Sequence, residues 1–468
     1  MMMKQTVELL TVRKSPATGK DHFLSLLGCV VAGCSLVSAP ALEPRAELPL
    51  AVSEERAFPS AEGWAATTPG GRGGRILRVT TLAPGGPGSL VEALKAKGPR
   101  IVVFEVGGVI DLHTLTDMKN QLVTITEPFL TVAGQTAPSP GITLIRGGFL
   151  IMAHDVVIQH IRVRPGEAGH AKASGWEPDG ISTAHRSRDI IVDHCSFSWA
   201  IDENLSASSK PFEGATPEEW RKNPSQRITF SYNIIAEGLN KATHSKVAHS
   251  KGSLIMDNCS DILILGNLYA NNVERNPEIK GGAWTAVVNN YIYNPGVTAV
   301  LYHLNNRLWQ GRTPLIGKIE LAGNVMRYGP DTMKGLALLR FVGSGDLELH
   351  AEDNLVFDQE GNSGPIIRED NRYGGKIRPK SKSFSWPPGL RARPAAIVKE
   401  DVLRNAGARP WDRDAIDQRI VRESGDGTGK VIDSEQQVGG YPVMKETRQT
   451  FEPADWDLRT MARKGGNR

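Results

Sequence analysis

The sequence predicts an all-β solenoid of stacked short coils, and three observations carry that expectation. First, seven β-like runs share one template, an apolar residue three places before a His or Asn and another just after it. The anchors are His160, His194, Asn233, Asn267, Asn290, Asn324 and Asn354. Second, they recur every 23 to 39 residues, and each run is too short to bury a face alone, as in stacked repeats. Third, in–out alternation places Val157, Ile191, Phe230, Ile264, Val287 and Leu321 in one inward column. The polar anchors are then expected to form a side-chain ladder at a bend. Such a scaffold is rigid and long, so an extended polymer can lie along one sheet while variable loops carry chemistry.

The chain opens with Lys4, Arg13, Lys14 and Lys20, then an apolar stretch from Phe23 to Val37, then small residues ending at Ala39-Pro40-Ala41. Residues 1–41 read as an export signal, too short for a comfortable membrane span. Within it Val31-Ala32-Gly33-Cys34 also fits a lipoprotein signal cleaved before Cys34, which would tether the mature protein to a membrane. Ordinary cleavage near Ala41 is the alternative. Residues 42–56, rich in Pro, Ala and charge, read as a linker.

With 468 residues, 40% hydrophobic, and 49 Gly, the chain can bury one large, turn-rich core without a domain split. Lys and Arg number 55 against 51 Asp and Glu; the first 41 residues hold four and two of these, leaving 51 against 49. So balanced a surface gives no reason to expect nucleic acid as a partner. Only Cys195 and Cys259 remain after residue 41, each beside a repeat strand, where inward-facing free thiols are expected rather than a disulfide or zinc site.

The Gly70–Gly74 run lacks the strand-then-helix setting of a phosphate loop, and Gly425–Lys430 misses the Walker spacing, so both read as turns. Ser89-Leu90-Val91-Glu92 reads as a capping box opening a short helix through Ala96, a natural lid for an open solenoid end. Coils run from Ile101 to Phe357, placing the β-helix at 57–370. Beyond it, 371–468 is expected to be an irregular tail that packs across the solenoid or caps its far end, with one helix suggested over Asp401–Ile420.

Four places interrupt the repeats with charge: Trp176–Ile181, Ser198–Glu203, His249–Gly252 and Glu274–Lys280. Asp179, Asp202 and Glu203 lie on adjacent coils and together suit a hard cation such as Ca²⁺, which takes several oxygen ligands in irregular geometry. Solvated turn acids are the plainer reading. Lys251, Arg275 and Lys280 lie within about one coil of one another, either as a surface ion-pair network of little energetic worth or as a grip on an anionic polymer. His170, His185, His244 and His249 read as hydrogen-bonding loop residues, His194 and Asp193 as structural support, and Trp176, Trp199 and Trp284 as packing or sugar-stacking groups.

The Ala57–Trp64 opening, Gly86-Pro87-Gly88-Ser89-Leu90, Val132–Thr136, Asp193-His194-Cys195-Ser196, His249-Ser250-Lys251 and Arg275-Asn276-Pro277 together resemble polysaccharide lyase family 1, the pectate lyases, across residues 57–358. The Trp-x-x-Asp-Glu element resembles its bacterial branch. The resemblance implies a right-handed parallel β-helix of three sheets and calcium-dependent β-elimination on polygalacturonate by a monomeric, exported enzyme. Position by position, it implies that Arg275 is the base, Lys251 a substrate-binding lysine, and Asp179 and Asp202 calcium ligands. Lys280 stands where the family motif has a second arginine, and Ser206 stands at the remaining calcium carboxylate, with Glu203 the available substitute. Crowding by Ca²⁺ and neighbouring cations would lower the Arg275 pKa and raise activity toward alkaline pH. Two other readings use the same scaffold: a glycoside hydrolase, which needs an acid/base carboxylate pair, and a non-catalytic carbohydrate-binding solenoid.

Overall fold

The computed structural model describes residues 55–115 and 122–465; the proposed export signal, Cys34 and most of the 42–56 linker lie outside them. Three parallel sheets wrap one core. The first has eleven strands, from Arg75–Val79 to Ile377–Pro379. The second has nine parallel strands, from Leu355–Phe357 back to Val106–Asp111, and the tail strand Thr447–Arg448 adds a tenth, antiparallel, at its outer edge. The third is split into a four-stranded part ending at Leu205–Ser206 and a five-stranded part beginning at Leu254–Ile255. Chain order advances by one strand per sheet per coil, so the molecule is a parallel β-helix.

From the third of these coils onward the inward column is as the alternation requires. Phe230, Ile264, Val287 and Leu321 are paired in register and buried. The first two members are corrected by one residue: Phe230 pairs with Val192, and Val192 with Ile158, so Val157 and Ile191 face outward. They are nevertheless buried, because Phe58, Ala61 and Ala65 of the N-terminal segment pack over them. The same slip divides the anchors. Asn233, Asn267, Asn290, Asn324 and Asn354 form a continuous ladder in which each amide accepts from the preceding backbone N–H at 2.9–3.0 Å. At its head stands Cys195, whose N–H donates to Asn233 Oδ1. His160 and His194 lie one residue earlier and stack outside with Tyr232, ring centroids 5.3 and 5.1 Å apart. Both cysteines are free and buried.

Helix α1 (Leu90–Lys95) is capped by Ser89, whose hydroxyl accepts from Glu92 N–H, while the Glu92 carboxylate accepts from Gly88 rather than completing a reciprocal box. The Gly70–Gly74 run is a turn in which Gly71 lies so close to the Arg100 carbonyl that a Cβ would sit 1.8 Å from it. A second short helix, α2 (Pro217–Lys222), lies in a loop.

The tail is less irregular than expected. In place of one helix over Asp401–Ile420 there are two, α3 (Ala395–Asn405) and α4 (Ala415–Asp426). Gly407, at φ 102°, passes over Ile234 where a Cβ would clash. Val398, Val402, Ile416 and Ile420 bury their side chains against Ile234, Leu268, Tyr291 and Val325 of the second sheet. Beneath α4, the buried guanidinium of Arg164 reaches Asp417 at 2.8 Å, and Arg162 Nε lies 3.3 Å from the same carboxylate. The tail therefore lies across the flank of the solenoid through a desolvated ion cluster.

Candidate functional site

At the split in the third sheet, single β-bridges join Glu203 to Lys251 and Lys251 to Glu274. Asp179 precedes the strand Ile181–Thr183, which pairs with Leu205–Ser206, so Asp179 stands beside Glu203 on the adjoining coil. Its carboxylate accepts from Glu203 N–H at 3.1 Å. Consecutive coils thus bring Asp179, Glu203, Lys251 and Glu274 into one row, with Asp202 and Arg275 beside it.

The turns bearing this row are held by buried amides that repeat reasoning did not single out. Asn204 Nδ2 donates to the Lys251 carbonyl and to Asn272 Oδ1, and Asn272 Nδ2 donates to Asn276 Oδ1. Asn204 follows Glu203, and Asn276 follows Arg275. An Asn directly after a charged residue, recurring two coils apart, was the available signal.

Asp179, Asp202 and Glu203 each offer an oxygen, all within 4.8 Å of one another. Burial, then the adjacent Asp202 charge, pushes the Asp179 carboxyl well above the ordinary range. Burial also opposes ionisation of Asp202, but the His249 hydrogen bond and the charges of His249 and Arg275 hold it below that range. Crowded, all-oxygen carboxylates of this kind fit a divalent cation that relieves their repulsion, and the hard donor set favours calcium. Ser206 takes no part: its hydroxyl is buried and accepts from Leu254 N–H.

The three cations are all near this cluster, each against a carboxylate. Arg275, a non-glycine residue at φ 63°, forms an ion pair with Glu203, lies 2.8 Å from Glu278 and reaches 4.0 Å from Asp202. A left-handed backbone there costs about 1–3 kcal/mol and persists when surroundings over-determine it. Its contacts correct the sequence expectation, since the groups facing the guanidinium are carboxylates and not other cations. Lys251 pairs with Glu274, and Lys280 with Glu278 at 3.1 Å.

His244 and His249 are hydrogen-bonding loop residues, and one of the bonds they make is to Asp202. The hairpin closed by the Lys241–Ala248 bridge stacks them with centroids 3.7 Å apart. His249 Nε2 donates to Asp202 Oδ1 at 2.7 Å, and His244 Nδ1 accepts from Lys246 N–H at 2.9 Å. Their role depends on a hairpin fold that spacing does not reveal. Of the tryptophans, Trp199 is fully buried, with its N–H on Glu237, and Trp176 donates to the Gly166 carbonyl. Trp284 is covered by Arg221 and Lys318. Asp193 accepts from His194 and from Ser231, at 2.8 and 2.7 Å, as structural support.

No family model matches the chain. It is 31% identical over 412 residues to the probable pectate lyase C of Neosartorya fischeri, covering 86% of each. With the protein of the same name from Aspergillus flavus, identity is 31% over 394 residues, covering 82% of this chain and 81% of that one. The major allergen of cedar pollen superposes with a TM-score of 0.50 at 15% identity, covering 74% of this chain and 92% of that structure, a likeness of fold alone. These two sequence relatives are fungal and lend no support to a bacterial branch.

Proposed function

Since this chain belongs to polysaccharide lyase family 1, the pectate lyases, we propose that it cleaves polygalacturonate or a related uronate polymer by calcium-assisted β-elimination at the row described above. It is a polysaccharide-acting carbon–oxygen lyase on a parallel β-helix. One observation supports the site assignment: Lys251 stands against Glu274, Arg275 against Glu203 and Asp202, and Lys280 against Glu278, beside Asp179 on the adjoining coil.

The chemistry explains the residue types. Taking the proton from C5 of a uronate places a second negative charge beside an existing carboxylate, so preorganised positive charge is the main requirement. Lys251 and Lys280 bind the substrate carboxylate and stabilise the charge as it spreads into it. Arg275 acts as base only after its guanidinium has given up a proton to solvent; it then takes the C5 proton as the C4–O4 bond breaks, leaving a C4–C5 double bond and an O4 alkoxide that takes a proton from water. Calcium, when held by Asp179, Asp202 and Glu203, would add positive charge at the substrate carboxylate and offset those of the three ligands.

The leader at residues 1–41 fits export, with either soluble release after Ala41 or lipid attachment at Cys34; palmitate labelling lost in Cys34→Ala would favour attachment. A monomer acting on an acidic polysaccharide, without nucleic acid, completes the reading.

The test is to incubate the protein with polygalacturonate, with Ca²⁺ or with chelator, and follow the ultraviolet absorbance of unsaturated product. Calcium-dependent absorbance is expected. Reducing ends without absorbance would mean hydrolysis, for which Asp179, raised, and Asp202, lowered, would be the acid/base pair. Neither signal on any uronate would leave a binding solenoid.

A further inference from the structure

A lysine at position 280 gives a point charge where the family motif has an arginine's two-pronged grip on a carboxylate. The neighbouring coil supplies another donor. His303 is the register partner of Lys280, while Ile279 and Tyr302 beside them enter the core. Lys280 Nζ lies 3.3 Å from His303 Nδ1. Both rest on the same oxygen of Glu278, at 3.1 and 3.0 Å. The other Glu278 oxygen lies 2.8 Å from Arg275 Nε. Glu278 is 5% exposed, whereas the His303 side chain is 34% exposed. With Nδ1 committed to this cluster, Nε2 is the ring nitrogen left for a ligand.

We propose that Lys280 and His303 form a split fork that grips one uronate carboxylate, the ammonium on one oxygen and, with the ring in its imidazolium form so that both nitrogens donate, Nε2–H on the other. Glu278 is the positioning residue: it fixes both prongs and sets Arg275 alongside them. Glu278 already holds the Lys280 ammonium and the imidazole ring side by side, so neither has to search for its rotamer when substrate arrives. The fork rests on the lyase reading and deepens it by naming a substrate-binding residue outside the matched motif.

Steady-state kinetics on polygalacturonate at saturating Ca²⁺ tests the fork with His303→Asn, whose amide can keep the Nδ1-side bond to Glu278 but has nothing in place of Nε2. Loss of one charge-assisted hydrogen bond should raise KM about tenfold with kcat within about twofold. Lys280→Arg added to His303→Asn should bring KM back toward wild type, since one guanidinium supplies both prongs. An unchanged KM in His303→Asn, a loss confined to kcat, or no recovery with arginine overturns the fork. His303→Ala, checked by thermal melting, should repeat the KM effect. If the wild type releases no unsaturated product, the lyase reading fails separately. Calorimetry with trigalacturonate then judges the fork: about tenfold weaker binding in His303→Asn supports it, and equal binding overturns it.

Discussion

Replacing His249 by alanine should weaken calcium binding without touching any atom that holds the ion. His249 Nε2 donates to Asp202 Oδ1 at 2.7 Å, and the imidazole is buried in a stack with His244. A hydrogen bond to a charged group contributes about 1.5–3 kcal/mol, which is about 10- to 100-fold in affinity. Loss of an outer partner of a metal ligand costs a similar factor in other sites. Alanine frees the Asp202 carboxylate to rotate away from Asp179 and Glu203, so its orientation must be restored as calcium binds. The assay is calorimetric titration with CaCl₂ of wild type and His249→Ala, with melting curves to show that both are folded. A folded His249→Ala protein with wild-type calcium affinity would refute the reasoning, since Asp202 would then be held without its partner.

Two further outcomes concern stability. Asp417→Ala leaves the buried guanidiniums of Arg162 and Arg164 beneath α4 sharing Asp414 alone of their two carboxylates, one negative charge for two positive, and should cost about 3–5 kcal/mol of unfolding free energy; a loss below about 1 kcal/mol by urea denaturation would mean the tail is not docked through this cluster. Asp193 is opposed by burial, but His194 and Ser231 hold its carboxyl down to about 2 from 3.8. Its folded value is depressed, so its contribution is present above the unfolded value and lost as pH falls through about 2. Asp193→Asn should therefore be less stable near neutrality by about 2 kcal/mol, with the gap closing in acid; a gap independent of pH would contradict the assignment.

Much of the coil architecture could be read from the chain because one Asn per coil satisfies the backbone of the coil before it, and that requirement leaves a repeat. It misled where a coil starts the ladder with Cys195 and puts His194 one residue earlier. Since strand faces alternate, that single residue moved Val157 and Ile191 to the wrong side. Their apolar character made the error invisible, because the cover over them comes from Phe58, Ala61 and Ala65, about 90 to 130 residues away in sequence.

The candidate site was legible where charge interrupts the repeats, as at Asp179, Asp202, Glu203, Lys251, Arg275 and Lys280, which the structure brings near one another. It was not legible where proximity depends on which coil lies beside which. Glu278 and His303 meet only through the register of Lys280 with His303, and His249 reaches Asp202 only through its hairpin. The second tail helix was missed because Gly407 and Pro410 break the apolar pattern near their junction.

In the proposed reaction Arg275 removes a proton from a uronate beside Lys251 and the Asp179, Asp202 and Glu203 carboxylates. Its most direct test is the initial rate of unsaturated-product absorbance from polygalacturonate by Arg275→Lys at saturating substrate and Ca²⁺. A general base contributes about 10²- to 10⁴-fold, so a rate at least about 100-fold below wild type is expected, with folding and calcium binding retained. A variant that turns over as fast as wild type would contradict the account.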